Sequence, residues 1–571
     1  MSLSAALSAT ISGLRVNQAS VQLVSTNVAH ANDPNYTKKI VNRETLTLGT
    51  DQPGGVLVAG FEAAVNASLR RQFESLTSRD GLTQTQQDYL GRIQSLLGAS
   101  SDTAALPRLL SDFTAAWQTL QSQPESASAQ RQVILFGDQL AAEVRRLSEG
   151  IDRIDSDIRN DITNTTADLN DKLAKVFELN VRIKASDPNG AERLELIDQR
   201  DALVREIAKL VDVRTVEREN GAIALFTPAG LSLLDGAPGR FTFDGTNVVS
   251  VDSGVVVNNL LREGKLKALL DLRADGSSAG LPASSDPAVE VIRKLRSQLD
   301  LVVNAFTATA GTPATFASAY NAASGSLRVS SSFLTTAEAS PSTQQIGTMF
   351  FNGSLAEGDV FEITINGKTF SYTATQNDTS FDHIAQKLTA LINTDTTLGV
   401  TAVNGVARLQ LIGASNNTTF TVTSTVNGQL PELTQGFFTG LDRYTFSVNK
   451  ELLAGTQQLK KNAAPDVVTA LNNADRNFIG IGLSLTNVSY KGLMSGIIGV
   501  NSTNAKFVAD NAKLNSDMRQ MTEQRYLQET GVNLDEELAN LQVLQNAYAA
   551  SARLLTVIQT LFDTLQAAVS R

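Results

Sequence analysis

The chain contains no cysteine and only two histidines among its 571 residues. The absence of cysteine excludes disulfides, thiolate metal sites and cysteine nucleophiles. His30 and His383 are the only imidazoles, so the side chain that most often serves in acid–base catalysis and metal binding is nearly missing. An enzyme is therefore an unfavourable interpretation, although chemistry by Asp, Glu, Lys or Ser stays open.

The chain has fewer basic than acidic residues. The 48 Lys and Arg residues are outnumbered by 58 Asp and Glu, which gives a net charge of −10. That is the wrong sign for a general nucleic-acid binder. Apolar runs stay shorter than the roughly 18 residues of a membrane span, and residues 1–15 lack the basic and apolar segments of a cleaved secretory signal. We therefore expect no nucleic-acid partner, no membrane insertion and no cleaved signal.

Apolar residues recur at spacings of three and four at both ends, which predicts two terminal helices. The first runs from Leu3 to the turn-rich segment HANDPNY, and the second begins at Asn533, a predicted N-cap, with Asp535 and Glu536 in its first turn. The candidate packing residues are Leu3, Leu7, Leu14, Val21 and Val24 in the first helix, and Leu541, Leu544, Tyr548, Leu555, Ile558, Phe562 and Leu565 in the second.

The second helix is also apolar on its other side. That side carries Leu538, Val543, Leu554, Val557 and Leu561 and few charges, so it invites further burial. We expect both terminal segments to be poorly ordered in the monomer and to become ordered in an assembly. The alternative is a two-helix coiled coil packed within one subunit.

The middle of the chain changes pattern several times. Residues 61–210 are helical in pattern, short alternating runs begin after Val211, and residues 310–345 have the composition of a linker. Near Asn366-Gly367, strand patterns flank a hairpin turn, and a helix follows, which together predict a small α+β module.

The predicted fold is multidomain α and β. It has discontinuous terminal helical coiled-coil and helical-bundle domains, a mainly β middle domain and a small α+β insert. The predicted domains are residues 1–45 plus 531–571 (terminal helices), 46–211 plus 465–530 (long helices), 212–340 plus 436–464 (mainly β) and 341–435 (insert).

Candidate catalytic and metal sites are weak. His30 lies where the first helix ends, so a helix-end hydrogen bond is a better interpretation than catalysis. His383 has no second histidine near it, and Asp152, Asp155 and Asp157 are interpreted as a solvated helix face. We predict no catalytic residue, no metal and no cofactor.

Two sequence signatures carry a resemblance. The run from Ser12 to Lys38 resembles the N-terminal signature of bacterial flagellar axial proteins of the rod, hook and hook-associated types, and Gly531–Leu565 resembles the matching C-terminal signature. The matching N-terminal positions are Asn27, Ala29, Ala31, Asn32, Pro34 and Tyr36. The segments IDQRDALVREIAKLVDV and EGKLKALLDLR resemble hook-associated members found at the hook–filament junction.

The resemblance implies a structural role. The terminal helices would form an inner tube around the export channel, and repeated subunit interfaces would form a ring that joins the hook to the filament. Implied partners are further copies of the chain, the hook protein, a second hook–filament junction protein and an export chaperone on the C-terminal helix. Secretion by flagellar type III export to the extracellular flagellum is implied too. Another axial component, or surface or glycan binding by the α+β module, remains as the alternative.

Overall fold

The computed structural model describes residues 3–48, 52–273, 286–308, 313–322, 332–338, 346–352, 355–378, 380–405, 408–414, 420–427, 436–440, 442–456 and 458–569. The α-helices are α1 (Leu3–Ala29), α2 (Ala67–Leu97), α3 (Leu106–Ser122), α4 (Ala127–Ala185), α5 (Ala191–Leu210), α6 (Lys265–Arg273), α7 (Val291–Thr307), α8 (Phe316–Ala322), α9 (Phe381–Asn393), α10 (Lys450–Leu453), α11 (Ala464–Asn472), α12 (Tyr490–Thr530) and α13 (Leu534–Val569). The strands are β1 (Lys39–Leu48), β2 (Gln52–Ala63), β3 (Arg214–Glu217), β4 (Ile223–Phe226), β5 (Ser232–Asp235), β6 (Ala237–Pro238), β7 (Phe241–Phe243), β8 (Val248–Ser250), β9 (Ser332–Glu338), β10 (Ile346–Asn352), β11 (Val360–Ile365), β12 (Lys368–Thr373), β13 (Val400–Gly405), β14 (Arg408–Gly413), β15 (Val422–Val426), β16 (Phe438–Thr439), β17 (Ser447–Val448), β18 (Arg476–Gly480) and β19 (Leu483–Val488).

The two ends of the chain pack together. Helix α1 contacts α13, and α2 contacts α12 in antiparallel fashion, as the hydrogen bonds from Asn66 to Glu529 and from Arg519 to Asp80 show. The described helices at the two termini therefore form pairs within one chain, as in the alternative interpretation of the sequence. None of the described helices has both the length and the apolar character needed to cross a bilayer.

The hairpin of β1 and β2 was not predicted. It packs along α1, where the hydroxyl of Ser12 accepts a hydrogen bond from the backbone N–H of Val56 at 3.1 Å. Gly55 permits this approach, because its φ is +141° and a Cβ there would lie 2.4 Å from the Ser12 hydroxyl. Polar and apolar residues follow one another in irregular order along β1 and β2, and the pairing of the strands has two register shifts. The alternation of polar and apolar residues that indicates a strand in the sequence is therefore weak.

The long-helix region is built on α4, which is 59 residues long. Its hydrophobic face recurs every three to four residues, as at Ile151, Ile154, Ile158 and Ile162, all of which are buried. This periodic face is why one helix runs unbroken past so many neighbours. Ser126 begins it, because its hydroxyl accepts the backbone N–H of Ala129.

The main core contains a cluster of aromatic rings. Phe113 and Trp117 of α3 contact Phe316 of α8 and Phe437, with ring centroids 5.5–6.2 Å apart. Phe316 lies in the segment predicted to be a linker. That prediction is wrong, since the large apolar rings of α8 are buried among residues distant in sequence.

The described part of residues 212–340 contains both helices and strands. In the described part of this segment, helices α6, α7 and α8 accompany short strands, and β3–β6 form a four-stranded sheet. The helices form because their apolar residues follow a helical period, and α7 buries one whole face against the core.

The α+β module contains two sheets and α9. The strand orders are β13-β14-β10-β9 and β12-β11-β15, and the module has its own core around Phe361, Ile363 and Leu388. Asn366 and Gly367 have φ angles of 49° and 83°, as the hairpin turn requires. The predicted domain boundaries stay predictions.

Of the three acidic residues of α4 predicted to form a solvated face, Asp157 is exposed and Asp152 is half-buried, but Asp155 is not solvated. Asp155 is buried and paired with Arg159, Arg273 and Arg296. Burial opposes its ionisation, but the three guanidinium groups hold the pKa of Asp155 below its usual range. Two of these arginines come from α6 and α7, so no local pattern could reveal the cluster.

Candidate assembly site at the chain termini

The predicted packing residues of α1 and α13 lie at different depths. Ile558 and Val24 are buried. Leu7, Leu14, Val21, Leu541, Leu544 and Leu555 are half-buried, whereas Tyr548, Phe562 and Leu565 are exposed, and the side chain of Leu3 lies outside the described residues. Their role in assembly stays a prediction.

The sequence interpretation missed part of the buried face of α1. Val16, Ser20, Leu23 and Asn27 are all buried and follow a 4-3-4 spacing. Ser20 donates its hydroxyl to the carbonyl of Val16, so a polar residue fits within that face. The spacing is present in the sequence, but Ser20 and Asn27 are polar, so a search for apolar residues alone does not find it.

The outward face of α13 is an exposed apolar stripe, which we call the outer stripe. Leu538, Val543, Leu554, Val557 and Leu561 are each 50–65% exposed. Between residues 538 and 562 the helix carries a single charged residue, Arg553. Large exposed apolar patches are typical of interaction surfaces.

A second exposed apolar ridge lies on α12. Phe507, Leu514 and Met521 repeat every seven residues, and Met518 lies beside them; all four are 40–67% exposed. A seven-residue repeat is the spacing with which one helix presents a seam to another. The ridge is flanked by Asp510 and Asp517, each paired with a lysine of the same helix.

The signature turn is organised around Asn27, which is 1% exposed. Its Oδ1 accepts hydrogen bonds from the Tyr36 hydroxyl at 2.8 Å and the Lys39 N–H at 3.2 Å. Its Nδ2 donates to the Lys39 carbonyl and to Glu537 Oε2, both at 3.0 Å. All four hydrogen-bonding positions of this amide are used, so no other side chain of similar size could replace it.

The other signature residues are placed differently. Ala29, Asn32 and Pro34 are exposed, Ala31 is half-buried, and Tyr36 is buried. The backbone N–H of His30 donates to the Thr26 carbonyl, and its ring stacks on Tyr36 with centroids 4.8 Å apart. Burial, with Asp198 adding to it, raises the pKa of Tyr36. The signature turn is therefore anchored by the buried Tyr36, while most of its other residues face solvent.

A buried ion pair fastens the turn to α5. Lys39 Nζ lies 2.9 Å from Asp198 Oδ2, and the two side chains are 1% and 10% exposed. The Thr37 hydroxyl and backbone N–H also donate to this carboxylate. Burial raises the pKa of Asp198, although these three donors oppose the shift. The sequence interpretation did not include Asp198, because α5 is far away in the chain.

Lys38, next to Lys39, contacts the start of α13. Lys38 Nζ lies 3.0 Å from Glu536 and 3.2 Å from Glu537, and its backbone N–H donates to the Thr530 carbonyl. Burial opposes its charge, but the two carboxylates raise the pKa of Lys38. Residues 36–39 therefore touch α1, α5, α12 and α13 together, and we call this the terminal hub.

The cap of α13 lies next to the hub. Asn533 Oδ1 accepts the backbone N–H groups of Asp535 at 3.1 Å and Glu536 at 3.4 Å. This satisfies donors that a helix start leaves unpaired. In the described part of the chain, no group of three or more His, Asp or Glu side chains is arranged to hold a metal ion.

Family models match two regions of the chain. The model for the helical domain of flagellar hook-associated protein FlgK matches residues 90–313, and the model for the C-terminal region of flagellar basal body rod FlgEFG proteins matches residues 523–568. Flagellar hook-associated protein 1 of Salmonella typhimurium is 24% identical over 97% of this chain and 98% of its own. The chain is thus similar to flagellar hook-associated protein 1 along nearly its whole length.

Two further proteins of that name are also similar to the chain. The hook-associated protein 1 of Escherichia coli K12 is 25% identical over 97% of this chain and 98% of its own, and that of Bacillus subtilis 168 is 24% identical over 38% and 45%. The solved structure of the flagellar hook junction protein FlgK from Burkholderia pseudomallei covers 80% of this chain and 99% of its own, with 12% identity and a TM-score of 0.47. The hook-associated protein 1 family is a structural family of the flagellum and not an enzyme family.

Proposed function

We propose that copies of this chain assemble through their terminal helices into the ring that joins the flagellar hook to the filament. The observation that supports this most directly is the outer stripe of α13. Five large apolar side chains that are each at least half exposed are costly to leave in water, at about 25 cal/mol per Å². Burial against neighbouring copies removes that cost, and the repeated contact gives a closed ring.

The terminal hub supports the same proposal. Because one buried network joins α1, α5, α12 and α13, a force applied to the terminal helices reaches the long-helix region through ion pairs and hydrogen bonds rather than through a loose linker. A mechanical joint requires this kind of connection. The ridge on α12 adds a second exposed apolar surface, on the helix that precedes α13 in the chain.

The proposal extends to partners. The hook protein below, a second junction protein above, and an export chaperone bound to α13 before assembly would each use the terminal helices. A chaperone on α13 would cover the outer stripe until export, which follows the flagellar type III route to the cell exterior.

The test is complementation in the host. Deleting the gene is expected to leave bare hooks and unpolymerised flagellin in the medium, seen by electron microscopy and flagellin assay. The double variant Leu554→Glu, Val557→Glu should fail to restore filaments, because it places two carboxylates in the outer stripe. Leu135→Glu is the matched control, since Leu135 on α4 is 53% exposed, as Leu554 is.

Two results would contradict the proposal. Intact filaments in the deletion strain would exclude a junction role. Full restoration of filaments by the double variant would show that the outer stripe is not an assembly surface.

A further inference from the structure

One arginine of the α+β module, Arg408, contacts helix α7 outside the module. Arg408, the first residue of β14, donates from Nη2 to the Ser297 hydroxyl of α7 at 2.8 Å. Its Nη1 lies 3.9 Å from Asp300 Oδ2, one turn further along the same helix. The side chains of Arg408 and Asp300 are 17% and 6% exposed. A guanidinium group of the module thus lies in a largely buried polar pocket on α7.

Asp300 is shared with a second arginine. Arg443 donates to Asp300 Oδ2 at 2.9 Å from its guanidinium and to Oδ1 at 3.3 Å from its backbone N–H. Its Nη2 donates to the Tyr444 hydroxyl, which in turn donates to Asp152 Oδ2, both at 2.7 Å. Two guanidinium groups therefore meet at one carboxylate, and the contact continues to α4.

The row of charged groups then extends across the body. Arg296 of α7 donates to Asp152 at 2.8 Å and to Asp155 at 3.2 Å. Asp155 also pairs with Arg159 of α4 and Arg273 of α6. From Arg408 to Asp155 the groups alternate in sign, apart from the neutral Tyr444. We call this row the polar latch.

The geometry of the Arg408 contacts restricts the orientation of the α+β module. A guanidinium is planar, and Arg408 bonds Ser297 and faces Asp300 with different nitrogens, so the module has one orientation that satisfies both. Burial lowers the pKa of Arg408, while Asp300 opposes that shift. Taking Arg408 out of the pocket would leave Asp300, a buried carboxylate, with less compensation, which is unfavourable.

We propose that the polar latch fixes the orientation of the α+β module relative to the helical body, with Arg408 as the positioning residue. The module is then a rigid outer part of each subunit and holds a constant angle in an assembly. This inference is independent of the proposed junction function, because it concerns contacts within one chain.

The test measures a distance across the latch in the full-length protein. Because the chain has no cysteine, Gln139→Cys on α4 and Lys387→Cys on α9, both at exposed positions, give two specific sites for spin labels. Pulsed electron paramagnetic resonance then gives the distribution of distances between them. We expect a narrow distribution in the otherwise native chain and one at least twofold broader after Arg408→Met, which keeps the apolar stem and removes the charge.

The matched control is Lys368→Ala, which breaks the exposed ion pair between Lys368 and Asp395 inside the module. It should leave the distribution unchanged. Asp300→Asn is a second variant, expected to broaden the distribution as Arg408→Met does. Circular dichroism confirms that each variant is folded. A broad distribution in the native chain, or an unchanged one in both folded latch variants, would overturn the proposal.

Discussion

Replacing Lys39 by methionine tests the terminal hub. Methionine keeps much of the apolar stem but removes the ammonium group that lies 2.9 Å from Asp198. Asp198 keeps the hydrogen bonds from Thr37, so the cost should fall at the lower end of the range for breaking a buried pair, about 3 kcal/mol. The contact of Lys39 with the Tyr36 ring, 3.6 Å from its centroid, is lost as well.

The assay is native-state amide hydrogen exchange of the hairpin formed by β1 and β2. A loss of about 3 kcal/mol corresponds to exchange that is a little over 100-fold faster for amides that open together with the hub. The control is Lys513→Met, because Lys513 and Asp517 form an exposed pair and should contribute less than about 1 kcal/mol. If Lys39→Met accelerates exchange no more than the control does, the hub does not hold the hairpin.

Three further predictions concern stability and order. Burial raises the pKa of Glu74 from 4.5 to about 7 in the folded state, so its contribution to stability is complete below about pH 4.5 and is lost as pH rises through 7. Glu74→Gln should therefore raise the free energy of unfolding at pH 8 by on the order of 3 kcal/mol and flatten its pH dependence, as measured by denaturant titration. Gly81→Ala should lower the melting temperature, because a Cβ would lie 2.3 Å from a backbone carbonyl, whereas Gly91→Ala in the same helix meets nothing within 4 Å and should stabilise by about 0.5–1 kcal/mol. Hydrogen exchange of residues 2–30 and 534–571 in dilute monomer should be fast, and strong protection throughout would contradict the expected ordering on assembly.

Local signals in the sequence predicted local structure well. Asn533 lies at the helix start expected of it, and Asn366-Gly367 forms the expected turn, because each depends on hydrogen bonds or φ angles within a few residues. Four members of the outer stripe, Val543, Leu554, Val557 and Leu561, could be placed on one side of the helix in advance for the same reason, because their spacing follows the helical period.

Contacts between distant segments were not predictable from the same signals. Asp198 meets Lys39 across 159 positions, and Arg408 meets Ser297 across 111, so nothing near either residue in the chain marks it as buried. The interpretation of Asp155 as solvated failed for this reason. A carboxylate on a helix looks the same in sequence whether it faces water or three arginines.

The central claim is that the outer stripe of α13 becomes buried when copies of the chain assemble. Because the protein has no cysteine, Leu554→Cys and Leu135→Cys each introduce one thiol at a position whose native side chain is 53% exposed. Maleimide labelling is measured on the purified monomer and on flagella isolated from the host. The account predicts that Cys at 554 reacts in the monomer and is protected in flagella, while Cys at 135 reacts in both. Equal labelling at 554 in both samples would contradict it.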